Sequence, residues 1–280
     1  MPAVVQLITS RDNPLVQRLR KLAQDPNAYR KLGEVWLEGD HLCSAYLARG
    51  KKAPVAVIAD SAWLGEHGLG HGGDPLVYQL TTLARQADKV VVLPEAIWKV
   101  FTGLESPARL GFLVSAPLVG DDGATAPVLR PGVPTVVLDR VQDAGNVGSI
   151  LRSASALGVA QVVAMKGTAA LWSPKVLRAG MGAHFGLHLV EQALPEQLIH
   201  LQLPLVATSS HADHELPRAP LPEPCAWVLG HEGQGVGADI MAQCLHTVSI
   251  PQPGGEESLN VAAAAAVCLY ESLRRRLGGI

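Results

Sequence analysis

The chain has 280 residues, of which 48% are hydrophobic and 17% are charged, and its formal net charge is −2. A hydrophobic fraction this high excludes general disorder, and the length is sufficient for two compact domains. The small net charge excludes a protein covered in positive charge, although one local basic face is enough to bind nucleic acid.

Neither export nor membrane insertion is predicted. The first residues, MPAVVQLITSRDNPLVQ, lack a basic region followed by an apolar run, and Leu259–Tyr270, the longest weakly polar run, is too short to span a bilayer. The cysteines form no C-x-x-C pair and indicate buried free thiols, not disulfides or zinc ligands. We therefore expect a soluble, cytoplasmic protein.

The N-terminal part has the pattern of a small α/β domain. Leu15, Leu19 and Leu22 recur at helical spacing, and a short strand, EVWLEG, precedes a helix in DHLCSAYLARG. Four further apolar segments predict strands: PVAVIAD, PLVYQL, KVVVLP and GFLVS.

A stretch rich in proline and glycine divides the chain. Residues 116–134 read APLVGDDGATAPVLRPGVP, with four prolines, three glycines and no periodic apolar pattern. We predict a linker over residues 117–132, between an N-terminal domain at 1–116 and a second domain at 133–280.

The second domain contains short apolar runs rich in valine, separated by helical segments. The runs are TVVLDRV, AQVVAMK, PLVATSS, CAWVLG and HTVSIP. Such runs are typical of strands buried on both faces, which predicts an open parallel α/β sheet. Because ligands of these sheets bind outside the carboxyl ends of the strands, the polar segments that follow each strand are the candidate sites.

The first of these segments is LDRVQDAGNVGSILRSASALG, residues 138–158. Asn146 is predicted to cap a helix whose apolar stripe faces the core. Arg152 points away from that stripe, on a face that it shares with Gly148 and Ser149. A solvated arginine is the ordinary outcome there, but a face of glycine and serine favours the close approach of a ligand.

The other two segments are WVLGHEGQGVGADI and SIPQPGGEESLNVAAAAAV. The glycines of the former do not fit G-x-G-x-x-G, and its carboxylate stands where a pyrophosphate needs bare amides, which disfavours a dehydrogenase. In the latter, Ser258 is predicted to cap a helix, with Glu256 and Glu257 at its positive end. The alanine run over residues 262–266 predicts close packing.

Taken together, the three segments resemble the SpoU family of RNA ribose 2′-O-methyltransferases, part of the SPOUT class. The family motif N-x-G-x-x-x-R matches Asn146–Arg152, and G-x-E-x-x-G matches Gly230–Gly235. A third motif, I-P ahead of S-L-N, matches Ile250–Pro251 and Ser258–Asn260. Order and spacing agree over residues 133–275.

The chain departs from the family pattern at three positions. Ala144, Gly180 and His231 stand where proline, serine and asparagine are usual. None of the three is a residue to which the resemblance gives a chemical role. The N-terminal segment VWLEGDHLCSAYLARG resembles the substrate-binding domain that is often attached to these enzymes.

The resemblance implies a SPOUT-type α/β fold: an open parallel sheet with a C-terminal trefoil knot, plus a small N-terminal α/β domain that binds RNA. It further implies a homodimer formed through the methyltransferase domain, and neither a metal nor a membrane partner. The cofactor that it implies is S-adenosylmethionine, bound in the knot. The implied cofactor residues are Thr208, Ser209, Gly230, Ile250 and Leu259.

The implied reaction is transfer of methyl to a ribose 2′-hydroxyl. The residues implied for catalysis are Arg152, Asn146, Glu232, Ser258 and Asn260. A free arginine is a poor base because its pKa exceeds about 12. Either the site perturbs Arg152 strongly, or Arg152 clamps phosphate and stabilises a developing oxyanion; we favour the clamp.

RNA binding requires basic surface. Residues 11–52 carry nine Lys or Arg against five Asp or Glu, and Arg274–Arg276 form a second basic spot. The predicted phosphate contacts are Arg11, Arg18, Arg20, Lys21, Arg30 and Lys31. The additional N-terminal domain favours 23S ribosomal RNA over transfer RNA as the substrate. The alternative hypothesis is a non-catalytic RNA-binding relative of the family.

Overall fold

The computed structural model describes residues 3–64, 74–102, 108–117, 128–212, 214–254 and 258–278. The chain divides into two compact units. The first contains residues 1–118 together with 172–185, and the second contains residues 119–171 together with 186–280. The segment 172–185 therefore groups with the N-terminal part, which the position of the linker does not predict.

The first unit is built on a mixed sheet. Its strands are β1 (Val4–Leu7), β2 (Glu34–Glu38), β3 (Val55–Ala59), β4 (Lys89–Leu93) and β5 (Leu110–Ser115). They are ordered β1-β4-β3-β5-β2, and β5 pairs antiparallel with both of its neighbours. The remaining pairs are parallel.

Within its described residues, the N-terminal part of this unit contains the α-helices α1 (Pro14–Gln24), α2 (Ala28–Leu32), α3 (Asp40–Ala48), α4 (Pro75–Ala84) and α5 (Glu95–Phe101). The predicted strand PLVYQL is wrong, because these residues lie in α4. Asp74 accepts a hydrogen bond from Leu76 N and Pro75 opens the first turn, so the start signals of a helix outweigh the apolar pattern.

The second unit contains a seven-stranded sheet in which every pair of neighbours is parallel. The strand order is β10-β12-β9-β11-β6-β7-β8. Their bounds are β6 (Thr135–Leu138), β7 (Gln161–Met165), β8 (His188–Ala193), β9 (Leu205–Thr208), β10 (His214–Glu215), β11 (Ala226–Leu229) and β12 (Cys244–Ser249). The parallel sheet predicted from the valine-rich runs is confirmed; β8 and β10 were not predicted.

Four strands of this sheet bring the candidate segments to one edge. Leu138 at the end of β6 pairs with Leu229 at the end of β11, and Thr208 at the end of β9 pairs with Val248 of β12. Since parallel strands end at the same edge, the segments that follow β6, β9, β11 and β12 are neighbours in space.

The remaining helices are α6 (Ala144–Ala156), α7 (Pro174–Gly180), α8 (Ala238–Met241) and α9 (Val261–Arg276), of which α7 lies in the segment that groups with the first unit. Helix α9 packs on α6 and also contacts β11. The chain therefore returns from β12 past β9 and β11 to reach α6. Threading of that return through a trefoil knot stays a prediction.

Within the described ranges, no helix has the length and apolar character needed to cross a membrane.

Candidate active site

Side-chain amides join the three motif segments at the carboxyl edge of the second sheet. Asn146 Nδ2 donates to Glu232 Oε1 at 3.1 Å, and Asn260 Nδ2 donates to Asn146 Oδ1 at 3.0 Å. Asn260 Oδ1 in turn accepts from the backbone N–H of Ala262 at 2.9 Å. We call Asn146, Glu232 and Asn260 the amide network. It links the segments after β6, β11 and β12.

Helix α6 begins one turn earlier than predicted. Asp143 is its N-cap, because the Asp143 carboxylate accepts from Asn146 N at 2.7 Å. The prediction that Asn146 caps this helix is wrong. As the third helical residue, Asn146 keeps its side-chain amide available for the other two motifs.

Helix α9 is capped by Asn260 and not by Ser258, so that prediction is also wrong. The helix begins at Val261, and the N-cap is the residue immediately before the first helical one. Asn260 Oδ1 accepts from both Ala262 N and Ala263 N. Ser258 is exposed. Glu256 and Glu257, predicted to lie at the positive end of this helix, fall outside the described residues.

Glu232 lies at the tip of a tight hairpin after β11. His231 and Gly235 exchange two backbone hydrogen bonds, of 3.0 and 2.8 Å. The His231 ring closes the hairpin from inside, since its Nδ1 accepts from the N–H groups of Gly233 and Gln234 at 3.0 and 3.2 Å. Gly230 is required because a Cβ there would lie 2.2 Å from the carbonyl carbon of Gly235.

The Glu232 carboxylate is occupied as a hydrogen-bond acceptor. Besides Asn146, it receives the backbone N–H groups of Asp143 and Gln142 at 3.4 and 3.5 Å. Partial burial raises the pKa of Glu232, but the hydrogen bonds from its own backbone N–H and from Asn146, Asp143 and Gln142 together outweigh burial and hold the pKa below its ordinary value. An ionised carboxylate in this arrangement orients its donors and is poorly suited to take a proton.

Arg152 differs from the amide network in its surroundings. Its side chain is exposed on α6, and no described residue forms a hydrogen bond or ion pair with it. Ser149 is exposed on the same helix, but Gly148 is buried, so the predicted open face does not include Gly148. The structure thus brings three of the five predicted catalytic residues into contact and leaves Arg152 and Ser258 outside that set.

The predicted cofactor residues follow neighbouring strands. Thr208 ends β9, Gly230 follows β11 and Ile250 follows β12. Ser209 is partly engaged, as its N–H donates to Val248 O at 3.0 Å and its hydroxyl accepts from His211 N at 3.1 Å. The remaining residue, Leu259, is 42% exposed.

Three residues in the candidate segments at this edge were given no role by the sequence analysis. Gln252, just after Ile250–Pro251, has a shielded Oε1 with no hydrogen-bond partner among the described residues. Asp139 and Arg140 form an ion pair at the exit of β6, with Asp139 only 3% exposed. The available signal was an acid directly after a buried strand, since buried carboxylates require partners.

The predicted RNA contacts divide into two groups. Arg18 Nη1 lies 3.2 Å from Glu34 Oε2, and Arg30 donates to Asn27 Oδ1 at 2.9 Å. The side chains of the other four have no partner within the described part of the chain, and all four residues are exposed: Arg11, Arg20, Lys21 and Lys31.

The second predicted basic spot, Arg274–Arg276, is engaged by the protein itself. Arg274 and Arg275 both donate to Glu271, at 2.8 and 2.7 Å. Arg275 also donates to the carbonyls of Leu216 and Ala219, at 2.8 and 2.6 Å. Arg276 donates to Leu157 O at 3.3 Å. These contacts occupy the three arginines within the protein while leaving their side chains partly exposed, so a role of this second basic spot in RNA binding stays a prediction.

Among the described residues, no group of three or more His, Cys, Asp or Glu side chains could hold a metal ion.

Comparison with known proteins gives one consistent family. The model of the SpoU rRNA Methylase family matches residues 134–270. The chain is 34% identical to an uncharacterized tRNA/rRNA methyltransferase of Synechocystis, over 96% of this chain and 94% of that protein. It is 28% identical to the 23S rRNA (uridine(2479)-2′-O)-methyltransferase of Streptomyces viridochromogenes, over 97% and 93%.

Solved structures share the whole fold. The SpoU methyltransferase AviRb of Streptomyces viridochromogenes, in complex with AdoMet, superposes with a TM-score of 0.77 at 25% identity, over 95% of this chain and 100% of that one. A structure described as an RNA 2′-O ribose methyltransferase gives a TM-score of 0.74 at 29% identity, over 97% and 100%. With its motifs gathered at one sheet edge and its full-length relatives, the chain belongs to the SpoU rRNA methylase family.

Proposed function

We propose that this protein transfers a methyl group from S-adenosylmethionine to a ribose 2′-hydroxyl of ribosomal RNA, with 23S rRNA favoured over tRNA. The observation that carries the proposal is the meeting of three motif segments in one amide network. The guanidinium of Arg152, which has no partner among the described residues, lies on the same helix as Asn146. Similarity over nearly the full length to a 23S rRNA 2′-O-methyltransferase supports the choice of RNA.

The residues present fit S-adenosylmethionine. Gln252 Oε1 is a shielded acceptor without a partner among the described residues, which suits an N–H group such as the adenine amine or the methionine ammonium. Leu259 exposes apolar surface that suits the adenine ring. Thr208, Ser209, Gly230 and Ile250 would supply contacts from the neighbouring strand exits. When bound, the cofactor supplies an activated methyl group on a sulfonium.

Arg152 is assigned to the substrate. Its guanidinium is permanently charged and presents forked donors, so it suits a phosphate of the bound RNA and the charge that develops on the 2′-oxygen. The amide network is assigned to positioning. The Glu232 carboxylate already accepts hydrogen bonds from three donors, so we assign it to orienting Asn146 and not to acting as a base. Ser258 is exposed one residue before Leu259 and is assigned to the ribose.

The first unit is proposed to dock the RNA. Arg11, Arg20, Lys21 and Lys31 are exposed cations with no described partner, which is what phosphate contacts require. Arg18 and Arg30 are already engaged within the protein, so we assign them a smaller share of the binding. Arg11, Arg20, Lys21 and Lys31 should each steepen the slope of log affinity against log salt concentration by about one.

The second unit is proposed to form a homodimer. Helix α9 exposes Ala263, Val267 and Tyr270 at helical spacing, with Val267 41% and Tyr270 58% exposed. An apolar stripe of this kind on a helix is typical of a surface that is covered by another chain. The trefoil knot and a cytoplasmic location belong to the same proposal.

Methyl transfer from labelled S-adenosylmethionine tests the function directly. We expect label in ribosomal RNA, with the product mapped to a 2′-O-methylated ribose, and less label in tRNA. Calorimetry should show cofactor binding well below about 1 mM. RNA binding with neither cofactor binding nor transfer would favour the non-catalytic relative, and a monomer in sedimentation experiments would exclude the dimer.

A further inference from the structure

The exit of β6 contains an ion pair that the proposed reaction does not use. Arg140 Nε and Nη2 donate to the two carboxylate oxygens of Asp139, both at 3.0 Å. Consecutive residues rarely pair in this forked way. Here the pairing accompanies a left-handed backbone at Arg140, whose φ is +56°, a conformation that side chains other than glycine seldom adopt.

The pair contacts both the hairpin that carries Glu232 and Gly237, two residues after it. Asp139 Oδ2 accepts from Gly237 N at 2.7 Å, and Arg140 Nη1 donates to Gln234 Oε1 at 3.1 Å. Arg140 Nη2 also lies 3.5 Å from Gly235 O. A Cβ at Gly237 would lie 3.1 Å from Arg140 Nη2, so the glycine lets the pair approach the backbone closely.

The position of this hairpin sets the contacts of Glu232. The hydrogen bonds that Glu232 accepts from Asn146, Asp143 and Gln142 are 3.1, 3.4 and 3.5 Å long. Hydrogen bonds weaken quickly beyond such distances, so a displacement of about 0.5 Å would remove them. Anything that holds the hairpin therefore also holds Asn146 through Glu232.

Arg140 is itself fixed from the rest of the sheet. Its backbone N–H donates to Thr168 Oγ1 at 3.1 Å, and the same hydroxyl donates to Leu138 O at 2.9 Å. Asp139 is anchored as well, since its own N–H donates to Leu229 O at 2.8 Å. The Asp139–Arg140 pair thus connects the ends of the adjacent strands β6 and β11 to the hairpin.

We propose that Arg140 is a positioning residue: paired with Asp139, it holds the hairpin of residues 231–235 so that Glu232 stays in register with Asn146. The consequence for turnover rests on the proposed methyl transfer, whereas the consequence for the hairpin does not. In this proposal the effect of Arg140 reaches catalysis only through Glu232.

Arg140→Gly is the decisive variant, because glycine accepts the left-handed backbone without strain while the side chain that joins Asp139 to the hairpin is removed. We expect hydrogen–deuterium exchange to accelerate by at least about fivefold in the peptide spanning residues 230–237 and to remain unchanged elsewhere. Arg140→Lys keeps the charge but loses the forked donors of the guanidinium, so its exchange rate should lie between those of the parent and Arg140→Gly. Arg218→Ala, which removes an exposed arginine that pairs with Glu215, is the matched control. Unchanged exchange in the hairpin would overturn the proposal.

Turnover provides the second measurement. Arg140→Gly should lower kcat about tenfold or more, while KM for RNA and Kd for S-adenosylmethionine change by less than about twofold. In a Glu232→Gln background, Arg140→Gly should lower kcat much less, because the Glu232 carboxylate through which Arg140 acts on Asn146 is already absent. Effects that multiply, or an unchanged kcat with a loosened hairpin, would refute the positioning role. If the unmodified protein transfers no methyl, the proposed function fails, and the exchange measurement alone decides whether Arg140 holds the hairpin.

Discussion

The two ends of helix α9 each carry a polar cluster, and the clusters differ in what they leave free. At the N-terminal end, Asn260 joins the amide network, and the nearby helix α6 carries Arg152 without a partner among the described residues. At the C-terminal end, Glu271 binds Arg274 and Arg275, and Arg275 also binds the carbonyls of Leu216 and Ala219.

The comparison separates arginines that fold the protein from the arginine assigned to RNA. Forked donors that end on carboxylates and carbonyls of their own chain are satisfied, and removing them leaves buried acceptors without partners. The Arg152 guanidinium forms no hydrogen bond with a described residue, so its donors remain available for a phosphate. Exposure alone would not distinguish the two, since the arginines at both ends are partly exposed.

The largest effect is expected from Arg152→Ala. Removing the guanidinium should reduce methyl transfer by about a thousandfold or more, because the charge on the 2′-oxygen loses its main stabilising group. S-adenosylmethionine affinity, measured by calorimetry, should change by less than about threefold. The matched variant at the other end, Arg275→Ala, should lower stability and leave kcat within about twofold. Retained transfer by Arg152→Ala would remove the distinction between the two ends.

The next effect distinguishes capping from linking at Asn260. Asn260→Asp keeps the oxygen that accepts from Ala262 N but loses the Nδ2 donor to Asn146. We expect methyl transfer to fall about tenfold to a hundredfold, with the free energy of unfolding within about 0.5 kcal/mol of the parent. Asn260→Ala loses both contacts and should cost about 1 kcal/mol more. Full activity in Asn260→Asp would show that the amide link is dispensable.

Glu271→Gln should affect stability and not turnover. Hydrogen bonds from Arg274, and then from Arg275, outweigh partial burial and hold the pKa of Glu271 at about 2, against an ordinary 4.5. Because the folded pKa is the lower one, the stabilisation is complete above about pH 4.5 and is lost as the pH falls toward 2. The variant should lose about 1–2 kcal/mol near neutral pH, measured by urea unfolding, and the difference should shrink on acidification. A difference independent of pH would contradict this assignment.

The smallest effect is expected at His231. An asparagine, usual in the family, can accept the same two N–H groups through its Oδ1, so His231→Asn should keep activity within about twofold. His231→Ala cannot accept them and should slow transfer about threefold to tenfold. If both variants behaved alike, the ring nitrogen would have no part in holding the hairpin.

Much of the arrangement could be predicted because it follows from periodicity. The valine-rich runs gave a parallel sheet, and a parallel sheet gathers its strand exits at one edge. The exact N-caps could not be predicted, because each helix has two candidate residues. Asp143 and Asn146 can both cap α6, and Ser258 and Asn260 can both cap α9; the choice depends only on where the first helical turn starts. Strand β1 was missed because its sequence, VVQL, shows no alternation of apolar and polar residues. In the structure all four of these residues are exposed.

The engagement of Arg274–Arg276 was also beyond the sequence. Their partners include Leu157, Leu216 and Ala219, residues 56 to 119 positions away whose carbonyls have no signature in a side-chain pattern. The Asp139–Arg140 pair was missed for a different reason. Adjacent residues rarely pair in this forked way, and the left-handed backbone at Arg140 that accompanies the pair has no signature in the sequence.

The bond between Asn146 and Asn260 spans 114 positions of the chain. The amide network therefore cannot close on a growing polypeptide that still lacks residue 260, even if the sheet before it has already formed. Each molecule then becomes catalytically competent only late in folding, after helix α9 has been synthesised and has packed on α6. For an enzyme whose proposed substrate is the RNA of the ribosome itself, this order separates synthesis of the protein from its first turnover.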